Sequence, residues 1–120
     1  MIREAIDEVV DFIDALGLPA DVTSDALSAG NSLANNRAVI VVPPPRIISL
    51  TLGTAEFEFA TIVAAGPFDN QERAIANLEP LLLELMDSDL MPSAAEPNVF
   101  QSSDNRPYPC YVLTHTTYSD

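Results

Sequence analysis

The side chains suited to nucleophilic or acid–base chemistry are few and poorly placed for it. His115 is the sole imidazole and Cys110 the sole thiol. A catalytic triad would need His115 within reach of a serine or of Cys110, with an acid to orient the ring. Both fall in one strand-like run, YPCYVLTHTTY, and being five positions apart they point to opposite faces of it. His115, between Thr114 and Thr116, reads as a surface or interface residue. Cys110, beside Pro109, Tyr111 and Val112, reads as a small core hydrophobe.

Carboxylates are abundant, with 18 Asp and Glu in 120 residues, yet they form no metal loop. Asp87-x-Asp89 lacks the glycine and distal glutamate of a calcium site, and Asp11 and Asp14 merely share a helix face. Paired acids for glycosyl transfer usually accompany an aromatic-lined cleft in a larger domain; this chain has no Trp, 3 Tyr and 5 Phe. Its 4 glycines are scattered and build no phosphate loop. All 5 basic residues are arginines (Arg3, Arg37, Arg46, Arg73, Arg106), so neither a lysine Schiff base nor a phosphate-loop lysine can form. The expectation is a protein that is not an enzyme, with no catalytic residue, no cofactor and no metal.

The net charge of −13 works against any polyanionic partner, because nucleic-acid affinity rests on neutralising phosphates. Anionic membrane surfaces are disfavoured for the same reason. A single cysteine excludes an intramolecular disulfide. At 48% hydrophobic the chain is too apolar for a disordered acidic tail, and its length suits one domain over 1–120. The acidic, amphipathic start MIREAIDEVV is unlike a signal peptide, and no apolar run approaches a membrane span. These features predict a soluble acidic domain made in a cytoplasm.

The elements follow from periodicity. Ile2, Ile6, Val9, Ile13 and Leu16 trace one helical stripe, ended by Gly17 and Pro19. Residues 21–36 lack a clean period and read as a loop with at most a short helical turn. The β-branched run AVIVV (38–42) predicts a strand buried on both faces, leaving the sheet at Pro43, Pro44 and Pro45. Ile48, Leu50 and Leu52, then Phe57 and Phe59, alternate with polar residues around Gly53-Thr54, which predicts a β-hairpin with a type II′ turn. The second strand runs through TIVAA to Gly66-Pro67. Asp69 and Glu72 resemble a capping box opening a helix over 70–87, with a core stripe of Ile75, Leu78, Leu82 and Leu85 widened by Leu81 and Met86. Pro80 either kinks that helix or splits it. NVFQS, the turn SDNRP and the strand over 108–118 close the chain, with Pro107 and Pro109 holding the last strand's start at an edge or outside the ladder. The order helix-strand-hairpin-helix-hairpin predicts an α+β domain: a mostly antiparallel sheet with two main helices packed on it.

What remains has the character of an interface. The candidate contact residues are Pro43, Pro44, Pro45 and Arg46, the hairpin tip Gly53 and Thr54, the stripe Phe57 and Phe59, and Tyr108 and Tyr111 in the proline-stiffened stretch RPYPCY. Stiff extended segments lose little entropy on binding, which suits repeated subunit contacts.

The ordered pattern of amphipathic first helix, RAVIVVPPPR, hairpin ending in TIVAAGP, FDNQERAIANLEPLLLEL and closing YPCYVLTHT resembles the tail terminator proteins of long-tailed, siphovirus-type bacteriophages. It covers nearly the whole chain except 21–36. The resemblance implies a structural virion protein forming a ring, a hexamer in that family. That ring caps the head-proximal end of the tail tube, stops its polymerisation and docks the neck or head-completion protein. It implies no catalytic residues and no cofactor. The implied partners are further copies of the chain, the tail tube protein and the neck; DNA passes through the lumen without specific binding, and no membrane is involved. The implied location is the virion tail, after assembly in the host cytoplasm. The alternatives are another neck component, such as a head-completion or stopper protein, or an acidic DNA mimic that inhibits a host enzyme. In the ring, the hairpin arm over 47–64 is expected to lie against the next subunit and bury Phe57 or Phe59 there.

Overall fold

A computed structural model describes residues 1–119 as an α+β domain in the order α1 (Ile2–Asp14), β1 (Asp21–Thr23), α2 (Ala26–Ala34), β2 (Val39–Val41), β3 (Arg46–Thr51), β4 (Thr54–Ala64), α3 (Gln71–Met86), β5 (Ala94–Gln101) and β6 (Pro107–Ser119). The sheet order is β1-β2-β4-β6-β5, with β3 pairing the outer half of β4. Every pairing is antiparallel except β1 with β2.

The central strand is β4, and its parity divides the protein into two packed layers. Ala55, Phe57, Phe59 and Val63 point to one face, where they meet Ile6, Val9 and Ile13 of α1 and Leu78, Leu81 and Leu85 of α3. Ala64 and Ile62 point to the other face and meet Ala29 and Leu33 of α2 with Tyr108 and Cys110. β2 lies between the layers. Ile40 and Val42 serve the first, Val39 and Val41 the second, so the AVIVV run is buried on both faces as its composition predicts.

Several local expectations need correction. The 21–36 stretch is not a loop: it holds β1 and α2, the latter capped by the Asp25 side chain, which accepts from the Leu27 N–H. The hairpin turns on Leu52-Gly53, one residue earlier than expected. Thr51 pairs with Thr54, and both turn residues have positive φ (49° and 84°), the type I′ arrangement. α3 is capped by Asn70, whose carboxamide oxygen accepts from the Arg73 N–H, rather than by Asp69. It runs unbroken through Pro80, which decides between the kinked-or-split alternatives in favour of one helix. Its buried stripe is Ala74, Leu78, Leu81 and Leu85, while Ile75 is 40% exposed. β6 is an interior strand, but its ladder to β4 begins only at Cys110↔Ala64. The segment carrying Pro107 and Pro109 therefore has β5 as its single strand neighbour, which is how those prolines are tolerated.

Candidate functional site

The outer half of β4, with β3 on one side and the end of β6 on the other, forms a three-stranded arm; the molecule measures 49 × 29 × 23 Å. On one level of the arm Ile47 pairs with Phe57 and Phe57 with Thr117. All six residues of β3 are exposed. Ile47, Ile48 and Leu50 keep 42%, 41% and 61% of their surface, and Leu52 at the tip is fully exposed. A bulge at Ile48 shifts the register, so Arg46 and Ser49 share the face of Glu58 and Glu56, while Ile47 and Leu50 share that of Phe57 and Ala55.

The expected contact residues divide sharply. Pro44, Gly53 and Thr54 are exposed, and Pro43, Pro45 and Tyr111 are half-buried. Arg46 is exposed but engaged within the chain, its Nη2 lying 3.0 Å and its Nε 3.1 Å from Glu58 Oε1. Phe57 and Phe59 are not a docking stripe: both are wholly buried beneath α1 and α3 in the chain's own core. Tyr108 is also internal, 2% exposed, its ring edge-on to Phe68 at 6.0 Å and packed over Gly66. The arm thus offers a neighbour β3, not β4.

His115 is a further correction. It lies inside the sheet's helix-covered face, 2% exposed, stacked on Phe59, with Nε2 at 2.7 Å from Thr61 Oγ1. Burial pushes its pKa down to about 4, so the ring is neutral at physiological pH. Cys110 does sit in the core; burial pushes its thiol up to about 11, leaving no nucleophile. Neither residue has the environment of a catalytic group, and they face opposite layers. Among the described residues no group of three or more His, Cys, Asp or Glu side chains is arranged to hold a metal ion. No helix among them is long and apolar enough to cross a membrane.

The sequence matches no protein-family model and no curated protein.

Two features of the arm are not apparent from local sequence. The first is a cavity of about 250 Å³ beside the end of β6, walled by Glu8, Val9 and Phe12 of α1, by Asp89 and Leu90, and by His115, Thr116 and Thr117. The second is that β5 stops pairing at Ala94↔Thr114, so His115–Tyr118 have no strand on that side among the described residues. The unequal lengths of NVFQS and YPCYVLTHTTY were the available signal for the second. On the sheet's opposite face α2 covers only the region around β2, Ala64 and Cys110. Farther out, Ala60, Thr116 and Tyr118 are exposed beside the half-buried Glu56 and Glu58.

Proposed function

We propose that the chain is a structural virion protein of the tail terminator kind. It would be the subunit of a ring, a hexamer in the resembling family, that caps the head-proximal end of a phage tail tube, stops its growth and docks the neck. The observation that carries this reading is the exposed outer strand β3, with Ile47, Ile48 and Leu50 open to solvent on a projecting arm. A bare apolar edge strand is an aggregation hazard in a monomer, and closure into a ring removes it. Heterologous contacts close in this way when the rotation between copies completes a circle.

The chemistry agrees with a scaffold role. The imidazole is neutral and buried, the thiol is buried, and the arm's uncovered face carries Glu56 beside the Arg46–Glu58 ion pair. A ring of chains each carrying a net charge of −13 would let DNA pass through its lumen without gripping it. The partners under this reading are other copies of the chain, the tail tube protein and the neck protein, with no cofactor.

The test is negative-stain imaging of the purified protein, alone and with tail tubes. Rings of tube diameter seated at one tube end, together with arrest of tube extension, are the expected result. Tubes that keep extending from both ends in excess protein would overturn the reading.

A further inference from the structure

The geometry points to one particular contact between copies: the outer edge of β3 in one subunit pairs with the free end of β6 in the next, seating Ile47 and Leu50 in the cavity beside that end. This deepens the ring reading proposed above and rests on it for the occupant, a second copy of this chain.

Three observations lead there. First, the two edges are complementary in position. Arg46, Glu58 and Thr116 lie on one level of the arm, as do Ile47, Phe57 and Thr117. The free side of β3 and the free side of His115–Tyr118 are therefore opposite margins of the same three-stranded arm. Joining one to the other repeats head to tail, the arrangement that can close a ring. Because β3 and β6 are each antiparallel to β4, the new ladder is parallel.

Second, side chains fit space. Ile47 and Leu50 project to the helix-covered side of the arm, since their partners Phe57 and Ala55 are buried there, yet they stay 42% and 61% exposed. On the receiving margin the same side holds the cavity of about 250 Å³, lined by Val9, Phe12 and Leu90 together with the carboxylates of Glu8 and Asp89. Apolar side chains on one margin thus face, on the same side of the arm, a recess with an apolar part at the other margin.

Third, charge permits the contact. Chains carrying −13 repel one another, and Glu8 and Asp89 line the recess, but the pairing segments 47–54 and 115–118 themselves contain no Asp, Glu or Arg to set like charges across the ladder, and His115 is neutral. The remaining long edge, β5, carries Glu96 and Pro97 in mid-strand, the usual guards against edge pairing.

The test uses two single-cysteine additions, Leu50→Cys and Thr117→Cys, in the full chain with buried Cys110 left in place, and a short bis-maleimide. The mixture of the two variants is expected to give a covalent dimer that neither gives alone. Leu50→Asp is expected to raise the concentration needed for assembly about thirtyfold or more while the melting temperature of the monomer stays unchanged. Product from Leu50→Cys by itself would mean β3 edges meeting symmetrically and would overturn the inference. Rings that form on tail tubes without the mixed product would overturn it while leaving the terminator reading intact. Mixed product in a protein that fails to arrest tube growth would uphold the contact and remove the terminator function. A chain that stays monomeric and uncrosslinked at the highest concentration reached, with and without tubes, would overturn the contact.

Discussion

Thr61 Oγ1 lies 2.7 Å from His115 Nε2, joining the two polar side chains that β4 and β6 bury between them on the helix-covered face. The imidazole is also stacked on Phe59, with centroids 5.3 Å apart and planes 7° from parallel. Strand parity explains the arrangement: His115 is the cross-strand partner of Phe59 and shares its face. The only histidine is thus a packing element whose one polar contact is satisfied inside the core.

That burial makes a pH prediction. The folded chain holds His115 at a pKa of about 4, against 6.5 when it is free in water. Below pH 6.5 the unfolded chain takes up a proton that the folded chain refuses. The stability owed to neutral His115 is therefore intact above 6.5 and lost progressively as pH falls toward 4. Acidification also relieves repulsion among the carboxylates, so the informative quantity is a difference between two proteins. The melting temperature of the native chain should fall relative to that of His115→Gln between pH 7 and pH 5. Parallel melting curves across that range would contradict the assignment.

Phe57 and Phe59 belong to folding, not assembly. Truncating either to Ala should cost about 3–5 kcal/mol, as for large aromatic side chains deleted from a packed core. A domain of this size has a total stability of only about 5–15 kcal/mol, so each variant sits near the edge of folding. Urea denaturation followed by circular dichroism measures the loss. A variant that melts like the native chain would place these rings outside the core.

Pro80 sits in the middle of α3 with its side chain exposed, so it removes a backbone hydrogen bond without gaining buried contact. Replacing it with Ala restores a donor for the Ala76 carbonyl and should stabilise the protein by about 1–3 kcal/mol. The midpoint of chemical denaturation should rise accordingly. An unchanged or lower midpoint would mean that α3 depends on the proline's shape.

The parts of the fold legible in the sequence are those set by local pattern. The run of five β-branched and apolar residues before Pro43 is a two-sided strand because nothing polar interrupts it, and 48–59 is a hairpin because its alternation persists across a turn. α2 escaped because it packs through Ala29, Gly30 and Leu33, two of them nearly without side chains, which leaves no stripe to read. Gly30 is close to the backbone of Ser102 and Ser103, a contact made only once the chain has folded back on itself. β1 needs β2 beside it before three residues count as a strand. For the site, alternation showed that Phe57 and Phe59 share a face but not that α1 covers it. The position of a helix more than forty residues away in sequence decides whether a stripe is core or interface. His115 was misplaced for the same reason.

The hairpin tip gives a last prediction, independent of the others. Leu52 adopts φ 49° and Gly53 φ 84°, and Leu52 projects wholly into solvent. A left-handed conformation costs a Cβ-bearing, non-Asn residue about 1–2 kcal/mol, and no packing around Leu52 offsets it. Asn tolerates that region and is favoured as the first residue of a type I′ turn followed by Gly. Leu52→Asn should therefore stabilise the monomer by about 0.5–1 kcal/mol, within the cost it relieves. Gly53→Ala should destabilise it, since the new Cβ meets open space but an unfavourable φ. Thermal melts of the two variants should move in opposite directions from the native chain. If Leu52→Asn also weakens assembly while raising the melting temperature, the leucine is retained for contact with a neighbour at the expense of its own turn. Leu52→Asn and Leu52→Met then separate the two effects, because methionine keeps the apolar surface and the strained φ together.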